Sequence, residues 1–259
     1  CVTDIAKWDA MWMNEGRVGD KPFLKPDTWT TITTNQIAFE VGPEDAAMGK
    51  HYDGAAMGWF TEDRNGYKII THSGGMPGFI LNHAVVPEKD FAVICLGNGE
   101  TYSVFAITDK VLNTFLGDGK ADPVAEMLPR IQRRAERDAK RVADRVAARV
   151  PGTGPSLPLS AYAGTYTDGI YGDATLELAP APGGGDGLLI LTFSPARELF
   201  TGPLEHWHFD TFKWNHADPF LEPGYITFQF DADHAVTGFK IDLHSPDFHF
   251  HKLDFVKRK

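Results

Sequence analysis

The 259 residues carry a net charge of -10 and 42% hydrophobic content, enough apolar material for one large or two ordinary domains. The acidic balance excludes nucleic acid as the main partner, because phosphate binding needs a basic surface, and the lack of any run of about eighteen apolar residues excludes a membrane-spanning helix. Two cysteines, Cys1 and Cys95, imply no disulfide framework and leave the compartment open.

The chain opens on Cys1, directly before a pattern that predicts an amphipathic helix with Ile5, Trp8, Trp12 and Met11 on one face. An N-terminal Cys admits two special readings, a nucleophile using its own α-amino group or a lipidated residue after a removed signal peptide. Each is normally followed by its own kind of sequence, a core strand or a polar tether, and an amphipathic helix is neither. Further on, Met57-Gly58-Trp59-Phe60 reads as a strand with Trp59 in the core. Tyr67 to Thr71, Phe79 to Pro87 and Phe91 to Leu96 are strand-like runs, the last two joined by Glu88-Lys89-Asp90, which makes an antiparallel meander. Between the first two lies His72-Ser73-Gly74-Gly75-Met76-Pro77-Gly78-Phe79. Three glycines and a proline form a turn at which backbone comes close to a ligand; the plainer reading is a hairpin turn whose glycines supply positive φ.

Tyr102, Phe105, Ile107, Val111, Leu112 and Phe115 form the apolar stripe of a helix packed on that sheet. From Val124 to Val150, basic residues such as Arg130, Arg137 and Arg145 alternate with acidic ones around a sparse apolar stripe, which predicts a long solvated connector helix, ended by Pro151-Gly152-Thr153-Gly154-Pro155. Short strands follow, among them 174–178, 188–193, 225–230 and 236–241, separated by turn residues, as in a small barrel or sandwich. His206 with His208, and His249 with His251, are spaced to share a strand face, a workable zinc arrangement, yet no acidic or Cys partner stands at a telling distance. Trp207, Trp214 and Phe220 read as core residues.

The run from His72 through Asn98, with its "VPEKD" strand end and "FAVICLGN" strand, resembles the third motif of penicillin-recognising serine hydrolases, nearest the class C β-lactamase-like esterases and D-amino-acid peptidases. In that branch a His often replaces the Lys of the Lys-Thr-Gly triplet, so the resemblance puts His72-Ser73-Gly74 in its place. It implies Gly75 N–H as one oxyanion donor, Ser73 as a hydrogen-bonding group for a substrate carboxylate or carbonyl, and His72 as tuning the proton relay. His72, Ser73 and Gly75 are thus the candidate catalytic residues, with Gly74, Met76 and Phe79 as substrate contacts. The helix at residues 2–16 resembles one that lies after both earlier motifs, and no Ser-x-x-Lys occurs in the sequence. The chain therefore resembles the C-terminal part of a longer hydrolase, and its start at Cys rather than Met agrees with that. Leu159 to Tyr166, Tyr171-Gly172-Asp173 and Leu204 to Phe212 resemble the lipocalin-like barrel appended to many such enzymes.

The expected organisation is α+β: residues 1–120 as the C-terminal part of a β-lactamase-like domain, 121–155 as connector, and 156–259 as a lipocalin-like barrel. The expected function is cleavage of an ester, amide or peptide bond through an acyl-enzyme, with the nucleophile upstream; the alternative is a non-catalytic module whose barrel binds a small ligand or a partner. No cofactor or metal is implied. The partners are a small-molecule or peptide substrate and the upstream part of the same hydrolase, joined or as a separate fragment; a homo-oligomer is compatible, and the resemblance favours a periplasmic or secreted location.

Overall fold

The computed structural model describes residues 1–47, 49–76, 78–180, 187–245 and 248–258. They form two compact units, 1–138 and 139–259. The expected α+β architecture is present: five α-helices among the described residues, antiparallel sheets, and a closed barrel in the C-terminal half.

In the first unit, α1 (Val2–Met13) is capped by Cys1 and Asp4. The Asp4 carboxylate accepts from the N-terminal ammonium at 3.2 Å, an anion placed at the positive end of the helix. A small hairpin, β1 (Arg17–Val18) with β2 (Lys21–Pro22), leads to α2 (Pro26–Thr33), which Pro26 starts without losing a needed N–H. A six-stranded antiparallel sheet follows in sequential order: β3 (Ile37–Ala38), β4 (Asp53–Ala55), β5 (Phe60–Arg64), β6 (Tyr67–Met76), β7 (Phe79–Val86) and β8 (Phe91–Gly97). The short helix α3 (Pro43–Ala47) lies between β3 and β4. Asn65 and Gly66, both at positive φ, close the β5–β6 hairpin as a two-residue turn, a backbone conformation that these two residue types adopt readily.

Two helices cover the two sheet faces. Met11 and Trp12 of α1 pack with Ile70 and Val85, whereas Leu112 and Leu116 of α4 (Ser103–Leu116) pack with Ile69, Ala84 and Val86. Because strand side chains alternate, Thr71, Ser73 and Gly75 share the α4 face with Ile69, and His72 and Gly74 share the α1 face with Ile70.

Both apolar stripes differ from expectation. The buried face of α4 is Val104, Thr108, Leu112 and Leu116, a strict four-residue spacing, while Phe115 is 64% exposed and stacks on Phe91 with ring centroids 4.3 Å apart. On α1, Trp8 is 46% exposed and Asp9 is buried in its stead. Trp59 is core, as expected, but precedes β5 rather than lying within a strand, and stands edge-on to Trp12 at 4.7 Å.

Helix α5 (Pro123–Ala147) begins as its sequence dictates: Asp122 accepts from the N–H groups of Val124 and Ala125, and Pro123 occupies the first turn. Only Pro123 is buried among its residues, so the helix is solvated along its length, as its charge pattern predicts.

In the second unit eight antiparallel strands close a barrel: β9 (Gly164–Asp168), β10 (Gly172–Ala179), β11 (Leu188–Phe193), β12 (Thr201–His208), β13 (Thr211–Trp214), β14 (Gly224–Phe230), β15 (Val236–Asp242) and β16 (Phe255–Lys257), with β16 returning to β9. Closure leaves no edge strand. Trp214, Tyr162, Tyr166, Phe193 and Phe239 are fully buried in its core, so the interior is filled by the chain's own rings. Phe220, expected in the core, is 56% exposed. His206 and His208 lie on β12, but a register shift separates them; His206 Nε2 bonds the Phe209 carbonyl, and His208 Nδ1 accepts from Val150 N–H. His249 and His251 lie at a single turn of 3-10 helix instead of a strand. No group of three or more potential metal ligands converges among the described residues.

Candidate active site

The glycine-rich octapeptide is more strand than turn. β6 continues through His72, Ser73, Gly74 and Gly75 to Met76, pairing Gly74 with Leu81, Gly75 with Ile80 and Met76 with Phe79. The ladder to β7 extends strand geometry past the point where glycine composition suggests a loop. Pro77 lies outside the described residues. Gly78, at φ +86°, donates its N–H to Glu100 at 2.9 Å.

β5 pairs with β6 only as far as Phe60 opposite Thr71. Residues 72–76 of β6 are therefore bonded to β7 on one side and unpaired with any strand on the other among the described residues, and alternate residues of this stretch turn N–H and C=O outward. The open edge holds His72, Ser73, Gly74 and Gly75 together, while Met76 and Phe79 form the cross-strand pair at its exposed tip. Neither Gly74 nor Gly75 has left-handed backbone, and a Cβ on either would meet only ordinary contacts, the nearest at 3.5 Å for Gly74 and 3.6 Å for Gly75. The fold of this unit therefore does not demand glycine at these two positions. Glycine inside a strand weakens it and often marks the close approach of a ligand or another backbone.

Beside the edge is a cleft of about 780 Å³. Thr71, Ser73 and Asn82 line it from the sheet, Phe60 from β5, and Phe105 and Asp109 from α4. Ser73 and Asn82 are direct cross-strand partners on the α4 face. His72 reaches the same cleft from the strand edge, its ring 5.3 Å from that of Phe60. His72 Nδ1 is 2.5 Å from the Ser73 carbonyl, which can only accept, so Nδ1 carries a proton and Nε2 is the nitrogen able to take one up.

The three cations of the cleft lining are each held by carboxylates. Lys50 bonds Asp53 at 3.1 Å and also Glu62; Arg64 meets Asp109 at 2.9 Å and Glu62 at 3.7 Å; Arg130 meets Glu44 at 3.0 Å and Asp45 at 3.3 Å. Burial pulls the Lys50 ammonium down, but the Glu62 and Asp53 carboxylates outweigh it and hold it above its usual value. Burial pushes Asp63 up, yet the His51 ring and the N–H groups of His51 and Tyr52 outweigh it and leave its carboxyl below the ordinary range. Burial, then the Asp63 charge, pushes Tyr52 up to about 12.

On the opposite sheet face His83, cross-strand neighbour of His72, is 8% exposed and bonds Asp9, 2% exposed, at 3.1 Å. The Trp59 ring lies 5.2 Å from the His83 ring. Thr71 Oγ1 donates to the His83 carbonyl at 2.6 Å, tying β6 to β7 just below the open edge. Asn82, Thr71 and the Asp9–His83 pair carry no motif, and sequence reading missed them.

Residues 148–257 match the family described as a domain of unknown function, DUF3471. Over 201 residues the chain is 27% identical to an unguisins hydrolase of Aspergillus violaceofuscus (strain CBS 115571), covering 70% of this chain and 35% of that protein. Among solved structures, it is similar to an octameric penicillin-binding protein homologue from Pyrococcus abyssi, at 17% identity and a TM-score of 0.39, over 99% of this chain and 46% of that one. It is also similar to SurE, solved with D-Leu, at 16% identity and a TM-score of 0.31, over 91% of this chain and 44% of that one. The chain spans about a third of the length of the curated relative it matches and under half of these solved neighbours. A hydrolase relationship at low identity, expected from residues 72–98, is thus present. No helix among the described residues is long and apolar enough to cross a membrane.

Proposed function

We propose that this chain supplies the substrate-facing strand of a serine hydrolase that cleaves an ester, amide or peptide bond through an acyl-enzyme. The observation that carries this reading is the open edge of β6 at residues 72–76, where two glycines that the local packing does not require stand beside a cleft holding Ser73 and His72. Acyl transfer needs preorganised N–H donors at the developing oxyanion, and an open strand edge offers them with little reorganisation. In this reading Gly75 N–H is one donor, Ser73 Oγ bonds the substrate, and His72 Nε2 exchanges a proton with the nucleophile or leaving group. The sequence contains no Ser-x-x-Lys, so the nucleophile comes from polypeptide outside these 259 residues. The hydrolase named among the relatives supports the reaction class. The alternative, a barrel that binds a small ligand inside, is opposed by the aromatic filling of its core.

The test is intact-mass analysis of the native protein that contains this chain, before and after a fluorophosphonate, with the modified residue located by fragmentation. A single adduct on a serine outside residues 1–259 is expected. No adduct, or an adduct on Ser73, overturns the reading.

A further inference from the structure

We infer that Ser73 and Asn82 form a hydroxyl–carboxamide pair that reads a neutral amide of the substrate and makes the site select against a free carboxylate; this deepens, and rests on, the hydrolase reading. The pair is direct: Ser73 on β6 stands opposite Asn82 on β7, both on the α4 face and both in the cleft wall. Side chains directly opposite in an antiparallel pair have Cβ atoms about 5 Å apart, close enough for both to grip one planar group. A hydroxyl and a carboxamide each both donate and accept, so together they satisfy the N–H and the C=O of an amide. A carboxylate only accepts, so it would engage the Ser73 hydroxyl and the Asn82 N–H as donors and leave the Asn82 oxygen without a donor from the ligand.

The surrounding charge argues in the same direction. Carboxylates outnumber cations in the cleft lining by seven to three. All three cations, Lys50, Arg64 and Arg130, are already held in ion pairs. Recognition of a carboxylate uses a charge-assisted pair, ideally a bidentate arginine; here that would first require breaking an existing ion pair. His72 is the remaining lining group able to carry positive charge, and its Nδ1 is turned toward the Ser73 carbonyl. A neutral amide needs no counter-charge and loses less on desolvation.

The test uses the isotope-labelled native protein that contains this chain and two probes, N-acetyl-alanyl-alanine amide and the corresponding free acid, followed by amide chemical shifts at neutral pH. The amide is expected to shift Ser73 and Asn82 and to bind at least about fivefold more tightly than the acid, the loss of one net hydrogen bond. Asn82→Leu should abolish the preference. Asn82→Asp, nearly isosteric and so a check on folding, should weaken the amide and weaken the acid further. Equal or tighter binding of the acid, or no response at either residue to either probe, overturns the inference. Fluorophosphonate labelling reads the hydrolase reading separately: a protein that acylates without amide preference refutes only the pair, and one that prefers the amide but never acylates refutes only the hydrolase.

Discussion

Replacing Gly75 by alanine separates a glycine kept for the fold from one kept for a ligand. The new methyl would lie 3.6 Å from the Phe79 carbonyl oxygen and 3.9 Å from Ile80 Cγ1, ordinary contacts in backbone that any residue adopts. Alanine restricts the unfolded chain more than glycine does, so the variant should be more stable by about 0.5–1 kcal/mol, a rise of a few degrees in Tm by calorimetry. The methyl projects on the face that carries Ser73, into the space assigned to substrate, and misplacing a reacting group by about 1 Å can cost on the order of a hundredfold. Steady-state hydrolysis by the native enzyme should therefore fall by tenfold to a hundredfold, roughly, while stability rises. Gly74→Ala, whose Cβ lies on the other face 3.5 Å from Leu81, should gain similar stability with a smaller loss of turnover. Destabilisation of Gly75→Ala by more than about 1 kcal/mol would mean that the fold needs glycine, against the contact geometry. Added stability with full turnover would mean that nothing approaches the edge.

Asp9→Ala should destabilise the first unit by about 1–3 kcal/mol in urea unfolding, the cost of leaving the buried His83 Nδ1 without its partner; a loss below about 0.5 kcal/mol would show the pair to be idle. Asp63 titrates below its ordinary 3.8 in the folded state, so its contribution is present at neutral pH and is lost as the pH falls through that lowered value. Asp63→Asn should thus be less stable than wild type at pH 7 and converge with it near the acid limit, and a stability gap that widens on acidification would contradict the assignment. In the barrel, Asp210 accepts from Ser156 N–H at 3.0 Å, Ser156 Oγ at 2.8 Å and Tyr162 Oη at 2.5 Å, and these bonds outweigh the upward push of burial to keep its carboxyl below the usual range. Asp210→Ala should cost about 2–4 kcal/mol of barrel stability, measured by thermal unfolding, and an unchanged Tm would show that water replaces the carboxylate.

The meander 67–96 was legible because strands that pack on both faces read as apolar runs, and the barrel strands 174–178, 188–193, 225–230 and 236–241 because alternation and turn residues mark them. Strands β9, β13 and β16 were not among those read, being only a few residues long, and β12 was read only as the strand face shared by His206 and His208, since Pro203 and these histidines interrupt its apolar pattern. The helix stripes were misassigned by counting every large apolar residue. Phe115 and Trp8 are exposed, while Thr108, its hydroxyl bonded to the Val104 carbonyl, and Asp9, bonded to His83, are buried because a local partner satisfies each polar group. At the site, composition announced the glycines but not their geometry. The ladder stays paired up to Met76 and Phe79, and counting back from that pair sets Ser73 against Asn82. The open edge was not readable, since it depends on where β5 begins, at Phe60 opposite Thr71.

The central claim is that residues 72–76 face an acylated serine, and amide hydrogen exchange across this strand in the native enzyme, before and after trapping the acyl-enzyme with a slowly released ester, tests it most directly. Slowed exchange at Gly75 and its outward-facing neighbours, with the β6–β7 ladder amides unchanged, is the result the account predicts. Exchange at 72–76 that is the same in the free and acylated enzyme would contradict it.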